Sequence, residues 1–351
     1  VGFFDKLQNL KDSVGQLAEK AGGGSLDARI ESNLTEMSSG TEIERTAAIK
    51  ALVIQAQTDE KWLNPIIDSF IRVLPNQLES PQEALIDGLM ELRKVAPKRG
   101  KEIVEGMQSA LDSSYPSIRS KVIDIWTAFS LKSKSQSSET IADLFEMLSD
   151  DDKDVRYRTQ ESLSKILNTI PKAALPSLKQ ALRDDDWKVV YHSIVLFTEF
   201  AKKFPKPSVV LAPEVVLAFN SGERLKERAA DCLGMLGLGD PHSVKGAVPG
   251  LIKGLESKSS ELRKASAKAI GRIGSKDAML VFHAVPKLAK ALKNEDWYIH
   301  TEVVKALGYI GSNKPTLVKP HLPLIKNKTT TGADRNICQA AVWAYKKAGG
   351  K

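Results

Sequence analysis

The chain has 351 residues, 42% hydrophobic and 27% charged, a balance that excludes both a disordered polymer and a membrane-embedded bundle. Two cysteines, Cys232 and Cys338, exclude a disulfide framework and a four-thiolate zinc site and point to a reducing, cytoplasmic setting. The net charge of +8 is unevenly spread: residues 241–351 carry 20 Lys+Arg and 7 Asp+Glu, net +13, which leaves −5 on the first 240. A partner that reads charge is therefore expected at the C-terminal third. No apolar run reaches the ~18 residues of a membrane span, and no secretory leader is expected.

In chain order, residues 1–21 predict an amphipathic helix, with Phe3, Phe4, Leu7, Leu10, Val14 and Leu17 on one face. That face is read as a cap on the first repeat's core or as a docking face for a partner or membrane. Its polar side argues against a basic membrane helix, because Lys6, Lys11 and Lys20 are offset by Asp5, Asp12 and Glu19. Gly22-Gly23-Gly24-Ser25 follows as a flexible linker over 22–25.

From residue 26 to 351 the chain repeats itself. Ala247-Val248-Pro249-Gly250-Leu251 through Ile273-Gly274 realigns on Ala284-Val285-Pro286-Lys287-Leu288 through Ile310-Gly311 at an offset of 37, and Pro249, Pro286 and Pro323 keep that spacing. Each unit holds two helical patterns: Leu251 and Leu255 mark the first in the seventh unit, and Leu262, Ala265, Ala269, Ile270 and Ile273 the second. Proline suits the first turn of the first helix, and glycine is expected to stop the second. The template gives nine units, with second-helix anchors near Ile43, Glu83, Ile118, Val155, Val189, Leu225, Leu262, Ile299 and Asp334. The predicted fold is an all-α, right-handed solenoid of about nine antiparallel helix pairs, in which neighbours supply the core that one pair cannot.

The segments Asp150…Val155-Arg156, Ser257…Leu262-Arg263…Ala269-Ile270-Gly271 and Asn294…Ile299-His300…Ala306-Leu307-Gly308 resemble HEAT repeats, in particular the short bacterial and archaeal type first associated with phycocyanobilin-lyase subunits. The likeness is strong over residues 100–330. It implies a turn residue (Ser113, Asp150, Asp184, Asn220, Ser257, Asn294) and, six later, a partner position (Arg119, Arg156, Val190, Lys226, Arg263, His300). The turn residues are expected to cap the second helix and bridge to the next repeat's basic group. Val190 breaks the pattern and should interrupt any such ladder between units five and six.

Chemistry is hard to place on this chain. The five histidines never fall at the i, i+4 spacing of a zinc pair, and Asp150–Asp154 and Asp184–Asp186 lack the glycine and glutamate of a calcium loop. No nucleophile elbow, Walker loop or dinucleotide fingerprint occurs, and Gly234-Met235-Leu236-Gly237-Leu238-Gly239 is read as a helix stop. Neither an enzyme nor a cofactor nor a small-molecule substrate is expected. The inner face of the solenoid should carry Lys264, Lys268 and Arg272 in unit seven and His300, Thr301, Lys305 and Tyr309 in unit eight, whereas units five and six present acidic to apolar side chains. The first helices add Lys253, Lys287, Lys290 and Lys293, and Trp187 and Trp297 occupy one edge slot in their repeats. The expected function is a scaffold binding a protein partner, such as an acidic peptide, on the concave face. Nucleic-acid binding and a membrane-associated coat using the N-terminal helix are the alternatives.

Overall fold

The computed structural model describes residues 26–132, 138–293, 297–330 and 335–350. The expected helix and linker over 1–25, with Phe3, Phe4, Leu7 and Leu10, lie outside them, as do Asn294 and Asp334. Among the described residues there are helices and no strand, so the chain is an α-solenoid. It divides into two compact units, residues 1–136 and 137–351.

Second helices set the rhythm. Eight of 17 residues each begin at Glu42, Glu79, Pro116, Lys153, Trp187, Glu223, Ser260 and Trp297. A ninth, Arg335–Lys347, follows. Successive starts are 37 residues apart except at repeats five, six and nine, which begin 34, 36 and 38 residues after the repeat before. The anchors of repeats three to eight (Ile118, Val155, Val189, Leu225, Leu262 and Ile299) are all buried. In the first two repeats the anchors read from the sequence miss the register: Ile43 is 83% exposed and Glu83 is exposed. Pro81 and Ile337 hold the buried slot in repeats two and nine instead.

The glycine stop does not occur. Gly271 and Gly274 lie inside Ser260–Lys276, and the glycines of 234–239 lie inside Glu223–Gly239. Proline does the stopping in repeats four, five, six and eight. Ile170, Phe204, Asp240 and Lys314 each precede a proline, have φ between −131° and −151°, and end the second helix, because the proline ring bars them from the α region. The glycines serve packing. An added Cβ would lie 2.8 Å from the Ala269 Cα at Gly234, 2.7 Å from the Ala306 Cα at Gly271 and 2.9 Å from the Ala344 Cα at Gly308. Glycine against alanine thus brings consecutive second helices together at the same level in repeats six to nine.

In the first unit, repeats one to three pack Ile49, Leu52, Ile66, Phe70, Leu85 and Leu89 into one core. Two polar side chains buried in it, Trp126 and Gln82, hydrogen-bond to backbone carbonyls. Trp126 Nε1 donates to the Val104 carbonyl at 2.8 Å, and Gln82 Nε2 to Leu74 at 3.1 Å. The second unit contains repeats four to nine and every surface considered below.

Candidate binding groove

The inner-face cations follow from the helical register of repeats seven and eight, but the fold pairs them. Lys268 and Arg272 both reach back one repeat to Asp231, at 2.8 and 3.8 Å. Lys305 pairs with Glu302 at 3.0 Å. Lys264 lies over the Tyr298 ring, 4.0 Å from its centroid, and the Tyr298 hydroxyl holds its ammonium above the ordinary lysine value. Tyr298 in turn donates to Glu261 at 2.5 Å. The inner face of these repeats is therefore a lattice of half-exposed, mutually neutralised charges rather than an open basic strip. His300 does not belong to it: at 4% exposure it is buried in the repeat core and presents nothing to a partner.

Between the second helices of repeats seven, eight and nine runs a groove of about 640 Å³. Lys264 and Tyr298 form one end, Glu302, Lys305 and Tyr309 the middle, and Asn336, Gln339 and Trp343 the far wall. Tyr309, 40% exposed, meets Trp343 edge to face with ring centroids 5.0 Å apart. The lining thus combines an edge-to-face aromatic pair, two amide side chains and two cations engaged by Tyr298 and Glu302. Asn336, Gln339 and Trp343 are not expected on the inner face from an anchor at Asp334, which lies three residues ahead of the buried slot at Ile337. Realigning on Ile337 puts Asn336 and Trp343 within the helix that faces the groove.

The outer residues fall into two kinds. Lys287 pairs with Glu256 at 2.7 Å, whereas Lys253, Lys290 and Lys293 are exposed. These lysines lie on or just after the first helices, away from the groove. Trp297 is 66% exposed, and Trp187 is 42% exposed beneath the Arg224 guanidinium, 4.9 Å from the ring centroid. Both tryptophans stand at the first position of a second helix, on the edge of the stack.

Each of three arginines holds the turn of its own repeat. Arg156 Nη1 donates to the backbone carbonyls of Asp150 and, at 2.9 Å, Asp151. Arg263 Nη1 donates to those of Ser257 at 2.6 Å and Lys258 at 3.0 Å. Arg119 Nη1 does the same to Ser113 at 2.6 Å. The turn side chains fold the turn instead of capping the helix: Asp150 accepts from the Asp152 amide and Ser257 from that of Ser259. The caps stand two residues on, at Asp152 and Ser259.

Tandem helix pairs that share a core within each unit, with a turn-and-arginine stitch inside the pair, define an α-solenoid of short repeats. The family profile described as HEAT repeats matches residues 104–196 and 248–346, more than half of the chain, and the chain belongs to that family. No curated protein matches it. Among solved structures, the karyopherin Kap121p bound to the SUMO protease Ulp1p is similar at a TM-score of 0.57 and 14% identity, covering 99% of this chain and 42% of that one. This chain therefore spans about two fifths of that protein. Kap121p bound to Nup53p gives 0.56 and 14%, covering 93% and 38%. A designed armadillo repeat protein in complex with peptide (KR)4 gives 0.50 and 17%, covering 60% and 99%. At these identities the likeness is one of fold.

Proposed function

We propose that this chain is a non-catalytic scaffold that seats an extended segment of a protein partner in the groove of repeats seven to nine. The observation that carries the reading is the Tyr309–Trp343 pair beside Asn336 and Gln339, an apolar contact next to amide groups that can pair with a peptide backbone. Support comes from the neighbours of the same fold, whose structures contain a bound peptide or protein. An acidic segment is favoured, through the field of the +13 C-terminal third rather than through Lys264, Lys268, Arg272 and Lys305, which already have partners. The cation column on and beside the first helices is the basis of the alternative nucleic-acid reading.

Selection of a displayed random-peptide library on the full chain tests this. Acidic peptides should be enriched, and their affinity should fall at least about tenfold on Trp343→Ala, as expected for loss of a buried aromatic anchor. Peptides that bind the variant as well as the unaltered chain would remove the groove. Oligonucleotides that outcompete every selected peptide at low salt would transfer the function to the lysine column.

A further inference from the structure

The fourth residue of the second helix has one job in three repeats. Arg119, Arg156 and Arg263 each turn a guanidinium back beneath the turn to meet its backbone carbonyls six residues upstream. In repeat five that residue is Val190, 5% exposed, which has no donor for the carbonyls of Asp184 and Asp185. A pocket of about 610 Å³ lies at this place, lined by Val190, Asp184, Asp185 and Trp187 and, from repeat six, Leu217 and Arg224.

Its rim is unlike that of an ordinary turn. Leu217 is 56% and Trp187 42% exposed, so two apolar side chains flank the mouth. The turn reads Asp184-Asp185-Asp186 and the facing helix begins with Glu223, which makes the surroundings acidic. The two nearby cations are engaged: Arg183 pairs with the buried Glu214 at 2.9 Å and Arg224 covers the Trp187 ring. Carbonyl acceptors in the register that receives a guanidinium elsewhere, an acidic rim and flanking apolar groups together specify a cation with a planar head and an aliphatic stem.

We propose that this pocket receives an arginine side chain from a protein partner, its guanidinium entering where Arg156 and Arg263 fill their own repeats. The site lies on repeats five and six and does not depend on the groove of repeats seven to nine. Arginine is favoured over lysine because a planar guanidinium is what fills this register elsewhere, with one Nη1 of Arg156 and of Arg263 donating to two successive carbonyls.

The test uses the full chain and a fluorescein-labelled Gly-Leu-Arg-Leu-Gly peptide, with counterparts carrying lysine or citrulline in place of arginine. The arginine peptide should bind roughly tenfold more tightly than the uncharged citrulline one, the scale of a charge-assisted hydrogen bond. Val190→Arg should abolish that preference while leaving Tm unchanged or higher, since it restores the stitch of the other repeats. Trp187→Ala, at an exposed position that does not threaten folding, should weaken the arginine peptide at least about threefold by removing one wall. Trp343→Ala should leave it untouched. Equal binding of the arginine and citrulline peptides, or undiminished binding to both pocket variants, overturns the proposal. Equal binding of the lysine peptide overturns the guanidinium assignment.

Discussion

Repeats seven and eight are close copies at a strict 37-residue spacing, whereas repeat five arrives three residues early and places Val190, which has no donor, where repeat seven has Arg263 and repeat eight His300. In the regular pair, almost every polar side chain singled out by its position is spent inside the molecule: Arg263 on its own turn, Lys268 and Arg272 on Asp231, Lys305 on Glu302. In the irregular repeat the same positions leave a pocket and an exposed Trp187–Leu217 rim. Regularity in such an array marks what neighbouring repeats need from one another. The departure in repeat five leaves a position open to a partner outside the groove of repeats seven to nine.

Substitutions can sharpen that contrast. The largest effect should come from Gly271→Val, whose first added atom would already lie 2.7 Å from the Ala306 Cα; a loss of about 3 kcal/mol in chemical denaturation is expected for such overpacking. A variant within about 0.5 kcal/mol of the parent would show that the helices separate easily and that the tight glycine contact is not a constraint. Next, Arg263→Ala removes the donor to Ser257 and Lys258 and should cost about 1–2 kcal/mol in the same measurement, the scale of a lost charged hydrogen bond. An unaltered midpoint would mean that the stitch contributes nothing, and the missing arginine in repeat five would lose its significance.

A smaller effect belongs to Asp143, in the first helix of repeat four. Burial, and then Glu146 and Glu139, push its carboxyl up from 3.8 to about 6. The folded state therefore binds this proton more tightly than the unfolded chain, and stability is lost as pH rises from about 4 to 6. Asp143→Asn should raise Tm at pH 7.5 by about 2 °C, little because the group is partly exposed, and the gain should vanish near pH 3.5. A gain of the same size at both values would exclude the titration as its cause. The smallest effect concerns Gly222, which precedes the second helix of repeat six with extended backbone, no side-chain cap and nothing within 4 Å of an added Cβ. Gly222→Ser should add about 0.3 kcal/mol by supplying a cap; any loss would reveal a packing role for this turn.

The helix pairs and their register were legible in the sequence wherever an apolar anchor recurred, which is why Ile118 through Ile299 fall in the core. The first two repeats defeat that reading because their anchor slots hold Glu44 and Pro81, so Ile43 and Glu83 are merely the residues nearest the pattern. The glycines were misread because a helix stop and a close helix crossing both call for the same residue, and only the neighbouring Ala269, Ala306 and Ala344 distinguish them. The pairing of the inner-face cations was within reach: Asp231 and Lys268 are 37 residues apart, so superposing consecutive repeats places them side by side. The groove wall at Asn336 and Trp343 was not, because a three-residue error in the last anchor turns that helix through most of a full turn.

The two thiols differ in a way that makes the molecule easy to instrument. Cys232 is fully buried and its thiol is pushed up to about 12, so it has almost no thiolate at neutral pH, while Cys338 is half-exposed and next in sequence to Gln339 of the groove. A maleimide dye added to the native, unmutated chain should therefore settle on Cys338 and convert occupancy of the groove into a change in emission.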